Sequence, residues 1–349
     1  MYTKLFSSLA LLVIPGVARG VIETCEDLQA AFELTQTQDV VDEISIRADI
    51  ECPTFTNMTM TSNSLTLNSV EDLSISSGST SLTNVRLEVT GGAKLFWETS
   101  VFFWGDEEEE NNVNGGGVFV GEGSTVRFMN DVEMRDVRIA NEVDGDSDNA
   151  AFVRFGGCVW TAGYFRVDGD ATFTSCAIIG AGESPPGSGG AVFVGETGSV
   201  LFNQGVAISD TFITNDGGGD GGGIFNLGKV NIRGDSRFEE LAARDGAAIY
   251  NGEGATFNFR SGASVLFSDL SNRESPSALV NLGFFRFSGP ALFVDADAPV
   301  IVAEEGSTTI ISKNSVFWKF ENDDVTSEAI VAADSADVSI PSSVTFVGF

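Results

Sequence analysis

The stretch GGGVFVGEGSTVRFMNDVEMRDV, Gly115 to Val137, decides how the rest of the chain is read. It opens on a phrase of glycines, a small residue, an aliphatic residue and an aromatic. That phrase returns as GGCVW (Gly156 to Trp160), GGAVF (Gly189 to Phe193) and GGGIF (Gly221 to Phe225), then in degraded form as GAAIY (Gly246 to Tyr250) and PSALV (Pro276 to Val280). The stretch closes on a second phrase, Met134 to Val137, which returns at Phe173 to Cys176, Ile208 to Thr211, Phe238 to Leu241 and Phe267 to Leu270. The aliphatic markers Val118, Val159, Val192, Ile224, Ile249 and Leu279 lie 41, 33, 32, 25 and 30 residues apart, whereas the second phrase follows its marker by 16, 14, 16, 14 and 18. A nearly constant segment followed by a loop of variable length is the pattern of stacked coils with one free corner.

Stacking explains the residue types. Parallel strands pile about 4.8 Å apart, so each side chain sits above its counterpart in the coil before, and a column must keep one size and character. The aliphatic column is uniform and is expected to face the interior. The glycines before it supply positive φ at a corner where a Cβ would clash. Strict alternation then puts the small column (Gly117, Cys158, Ala191, Gly223, Ala248, Ala278) and the aromatic column (Phe119, Trp160, Phe193, Phe225, Tyr250) together on the outside, unless a bulge at the corner reverses the order.

The paired phrases resemble the GGAI and FxxN repeats of polymorphic outer membrane proteins. From about Gly91 to Asp297 the chain resembles the secreted right-handed parallel β-helices of the pectin-lyase-like superfamily. The Asn of FxxN is replaced here by Val137, Cys176, Thr211, Leu241 and Leu270, and no sequence for a C-terminal membrane barrel follows. The resemblance implies an all-β, right-handed parallel β-helix and, by analogy, an adhesive surface role. It also implies an alternative, cleavage of acidic polysaccharides.

The ends of the chain frame this core. Residues 1–20 read as a signal peptide: a positive start, the apolar run Leu5 to Ile14, and Ala18-Arg19-Gly20 at the cleavage site. Residues 21–55 read as an N-terminal cap with a short helix, N-capped by Thr24 and carrying Leu28, Ala31 and Phe32 at helical spacing to about Leu34. Residues 56–349 read as the β-helix, with period-two strands to Phe349. No stretch approaches the ~20 apolar residues of a membrane-spanning helix, so a secreted or cell-surface protein is expected. Four cysteines fit that compartment. Three pairings exist on paper; Cys25 with Cys52 inside the cap is favoured, which leaves Cys158 with Cys176. Asn57-Met58-Thr59 is the one N-glycosylation triplet.

Charge and composition exclude several functions. The formal charge is −31, and removal of Lys4 and Arg19 with the signal peptide makes it −33. Such a field disfavours nucleic acid and anionic lipid, and repels anionic polysaccharides unless calcium bridges them. There is no histidine, so Ser-His and Cys-His nucleophile pairs and imidazole zinc sites are absent. No catalytic residue is assigned: Asn322-Asp323-Asp324 is an acid pair without the His and Arg-x-Lys signatures that polygalacturonase-like enzymes carry beside theirs, and Lys229, Arg233 and Arg237 read as solvating charges on one repeat. Asp144, Asp146 and Asp148 begin like an EF-hand, yet the sixth place is not Gly and Phe155 stands where the bidentate Glu belongs. A looser calcium site is what remains there, as across Asp216 and Asp220; no other cofactor is expected. Phe119, Trp160, Phe193, Phe225 and Tyr250 form the candidate binding ladder. The expected role is non-catalytic, structural, adhesive or glycan-binding, with carbohydrate or surface proteins as partners. The alternative is a lyase or hydrolase of uronate polysaccharides.

Overall fold

The computed structural model describes residues 21–37, 43–46, 49–61, 64–69, 79–105, 115–141, 155–180, 188–214, 219–272, 277–294, 299–319 and 328–349. Residues 1–20, read above as a signal peptide, lie outside that set, as do Asp106 to Glu110, Asp144, Asp146, Asp148, Asp216 and Asn322 to Asp324.

After a two-residue strand, Val21–Ile22, comes a helix, Cys25–Thr37, which runs about one turn past the expected end. Thr24 caps it: its hydroxyl accepts from the Asp27 amide at 3.1 Å and its carbonyl from the Leu28 amide at 3.1 Å. Leu28, Ala31 and Phe32 are buried against the first coil, which the Cys25–Cys52 disulfide also ties to the helix. Among the described residues this is the one helix.

Among the described residues every strand pairing is parallel. One coil contains Val118–Val120, Thr125–Phe128, Val132–Arg135 and Arg138–Asn141, which define a first, second, third and fourth face. The second face is a sheet of 12 strands and the fourth one of 5. The first and third faces join as a 19-stranded sheet because Ser79–Val89 pairs with Ser100–Trp104 at its start and with Val118–Val120 at its end. The result is a parallel β-helix.

Register is strict. Val118, Val159, Val192, Ile224, Ile249 and Leu279 stand directly above one another and are fully buried. The column runs further than the glycine phrases show, from Met58 and Leu87 on one side to Ile301 and Ile330 on the other. Phenylalanine fills the interior of the third face: Phe238, Phe267, Phe293 and Phe317 stack with centroids 4.6 to 5.1 Å apart. Such pairs add packing energy to the apolar area they bury.

One expectation is corrected. The small column does not share the outside with the aromatics; Cys158, Ala191, Ala248 and Ala278 are buried. The reason is visible in the hydrogen bonds: the Gly117 and Val118 amides both donate to the Cys158 carbonyl, each at 2.9 Å, and the Cys158 and Val159 amides both donate to Ala191. Two successive amides aimed at one acceptor bend the chain, so alternation fails there and two adjacent side chains point inward. The first glycine of each phrase takes the positive φ, 62° at Gly115 and 74° at Gly189. The second glycine permits close approach, since a Cβ on Gly190 would collide with the Gly222 carbonyl.

The second phrase is also a corner. Its third residue, Asp136, Ser175, Asp210, Glu240 or Asp269, is left-handed with φ of 52° to 56°. Short polar residues tolerate that region best. The fourth residue then turns inward, and Val137, Cys176, Thr211, Leu241 and Leu270 are all buried. It packs beneath the small column: a Cβ on Gly223 would lie 3.2 Å from Leu241 Cδ1. Cys158 and Cys176 occupy these two places in one coil and form the second disulfide, Cα atoms 5.6 Å apart.

Candidate functional site

The first face carries the expected aromatic ladder. Phe119, Trp160, Phe193, Phe225 and Tyr250 are consecutive neighbours, with ring planes within 3° to 6° of parallel and centroids 4.3 to 6.3 Å apart. Phe193 is buried and the other four are half-buried. This geometry limits what the ladder can do. Each inner ring covers both of its faces with its neighbours and offers solvent an edge, whereas stacking on a sugar requires a free face. At the lower end the Arg86 guanidinium lies 5.0 Å from the Phe119 centroid. Arg86 is itself held by the Gly115 carbonyl, Asn57 Oδ1 and Glu88.

The upper end is acidic. Arg244 reaches Asp220 at 2.9 and 3.1 Å and Asp245 at 3.3 Å. Burial, with Asp245 nearby, raises the Asp220 carboxyl above its ordinary range against the pull of Arg244. Burial and the charges of Asp220, Asp245 and Glu304 also raise the Tyr250 hydroxyl. Of the aspartates considered for calcium, Asp220 is thus already engaged by a guanidinium. Among the described residues no three His, Cys, Asp or Glu side chains cluster as a metal site. Asn57 is exposed on a strand, and its amide nitrogen donates to Glu88 at 2.7 Å.

A second surface was not picked out in the sequence. Lys229 and Arg233 fall on the second face, while Arg237 turns the corner to the third and pairs with Glu239. With Lys229 and Arg233 stand residues from distant coils. The outward row Phe96, Arg127, Arg166, Leu201, Asn231, Asn258, Arg286 is in register across seven coils. Lys94, Tyr164, Lys229 and Phe284 belong to the row before it. The row after it contains Glu98, Asp168, Asn203, Arg233 and Arg260, aligned by the continuing amide ladder. From Lys94 to Arg286 these three rows hold seven cations and two carboxylates, in a chain of net charge −31. The signal is invisible locally because the cations are at least two residues apart and only coil register gathers them.

The cations are oriented by neighbours. Asp168 accepts from Arg127 at 2.7 Å and Arg166 at 2.6 Å on opposite oxygens, and from Asn203 at 2.8 Å. Burial opposes its ionisation, but these donors hold the Asp168 carboxyl below its ordinary range. Arg233 donates to Asn203 Oδ1 at 3.0 Å and Arg260 to Asn231 Oδ1 at 2.9 Å. Lys94, Lys229 and Arg286 are exposed and make no ion pair with a described residue. Phe96, Tyr164 and Phe284 are half-buried, and none contacts another ring among the described residues.

No protein-family model, curated protein or solved structure matches the chain.

Proposed function

We propose that this chain is a non-catalytic extracellular binding module, a rigid β-helix with an adhesive or glycan-binding role. The observation that carries the reading is the second face: a parallel sheet presenting guanidinium, ammonium, amide and unstacked aromatic groups in aligned rows. Such groups on a rigid scaffold bind with little ordering cost. The two disulfides support export, since such bonds persist in oxidising compartments. The likeness of the glycine phrases to polymorphic outer membrane protein repeats supports an adhesive role by analogy.

The test is retention of purified protein on immobilised neutral and anionic polysaccharides and on extracellular-matrix protein, with the soluble glycans assayed in parallel for new reducing or unsaturated ends. The expected outcome is retention on at least one surface with no new ends. New ends would establish the lyase or hydrolase alternative, and retention on none would remove the binding reading.

A further inference from the structure

The whole-molecule charge argues against an anionic ligand, but charge is not spread evenly over the coils. On the second face the strand rows themselves, from Lys94 to Ile310, carry no carboxylate. The acids gather at the turns on either side. Exposed Glu122, Glu196 and Glu253 line the edge toward the first face, and exposed Asp131, Asp170 and Asp235 the edge toward the third. The cationic rows span five residues of each coil, four steps or about 13 Å, and run about 29 Å along the axis over seven coils. They form a strip, narrow across and long along the solenoid, with a negative rim on both sides.

We infer that this strip binds one linear anionic glycan lying parallel to the solenoid axis, its sulfate or carboxylate groups taken by Arg127, Arg166, Lys229, Arg233, Arg260 and Arg286. The inference rests on the binding-module reading and names its ligand. Three features select this occupant. Four of the guanidiniums are held in place by Asp168 and two amide oxygens, Arg166 by Tyr164 as well, so a ligand that meets them has less side-chain freedom to order. Phe96, Tyr164 and Phe284 lie among the cations with no other ring against them, where a sugar ring can pack. The acidic rims repel a broad polyanion such as a nucleic-acid duplex, and equally the acidic flank of a second copy, but leave room for a single chain. Each coil advances about 4.8 Å, so cations on successive coils meet charges carried on successive or alternate sugars.

The test uses the full exported chain and four probes: a sulfated glycan of the heparin type, an unsulfated uronate polymer, neutral dextran and duplex DNA. Calorimetric titration is expected to show binding to one or both anionic glycans, none to dextran, and at least about tenfold weakening between about 50 and about 300 mM NaCl. The sulfated and unsulfated arms decide which anion is preferred. The double variant Lys229→Glu with Arg286→Glu reverses two exposed charges that hold nothing else. It is expected to melt as the parent does and to lose at least about tenfold in affinity, whereas Arg237→Glu on the third face keeps full affinity. If the double variant melts early, Lys229→Ala alone replaces it with the same expected direction. Equal binding of dextran, undiminished binding by the charge-reversed variant, or DNA binding as tight as glycan overturns the inference. So does low-salt self-association seen by sedimentation and abolished by the same variant, since the second copy is then the occupant. Retention on neutral glycan or protein with no response to these variants sinks the strip while leaving the binding-module reading standing.

Discussion

Asp168 shows how one side chain organises a surface. It is the carboxylate between Arg127 and Arg166, and its carboxyl is held below the ordinary range by their hydrogen bonds despite burial. A depressed folded-state pKa means that the carboxylate stabilises the fold above its unfolded value, and that this stabilisation fades as pH falls through the folded value. Asp168→Asn is therefore expected to lower the melting temperature at neutral pH by a few degrees, on the order of 1 kcal/mol for a half-exposed pair. The gap from the parent should close in acid, below the usual carboxylate range. Melting curves of both proteins across pH check this, and a gap that stays constant into acid would remove the assignment. Thr161 is the contrasting residue: fully buried between Val120 and Val194, its hydroxyl has no hydrogen-bond partner among the described residues.

At the scale of the element, the first face contains a device the sequence reading passed over. Two residues after the aliphatic marker, Asn226, Asn251 and Asn281 are buried one above another. Asn226 donates to Asn251 Oδ1 at 2.7 Å, Asn251 to Asn281 Oδ1 at 2.7 Å, and Asn281 to the Thr309 hydroxyl at 2.8 Å. Asn251→Ala breaks two of these bonds and leaves buried partners unpaired, so a loss of about 2–4 kcal/mol is expected. Urea unfolding measures it, and a change under about 0.5 kcal/mol would show that the ladder is ornamental to stability. The marker spacing that revealed the coils also contained these asparagines, because three coils repeat Asn at marker plus two. Much else about the elements was legible in this way: the aliphatic column and the N-capped helix follow from residue type and period, and the cysteine pairing favoured among three is the one the structure has. The small column was misplaced because period two holds only where amides and carbonyls pair one to one, and the shared Cys158 and Ala191 acceptors break that count. The basic strip was not legible, since it depends on which residues of separate coils share a register, and loops of unequal length hide that from the chain order.

The whole molecule is a stack whose charges are sorted by column. Acids repeat along the corners, as with Asp136, Asp210, Glu240 and Asp269 at the left-handed turns, and each lies within a few coils of the next. Such columns repel along their length, and the repulsion is screened by salt. Melting temperature is therefore expected to rise by several degrees between about 10 and about 500 mM NaCl, read by calorimetry; a fall would mean that ion pairs outweigh repulsion. The two disulfides add a mechanical asymmetry. Cys25–Cys52 staples the helix to the opening coil, and Cys158–Cys176 closes a loop inside one coil, so neither joins two successive turns of the body of the stack. A force that pulls at the C-terminal side peels strands one rung at a time, and from the last coil down to Gly180 it meets hydrogen bonds and packing but no covalent crosslink. At Cys176 it reaches a ring that cannot be drawn out straight. The molecule then resembles a zip fastener with a stop sewn in partway, yielding gradually under load before a shorter, reinforced segment takes the strain.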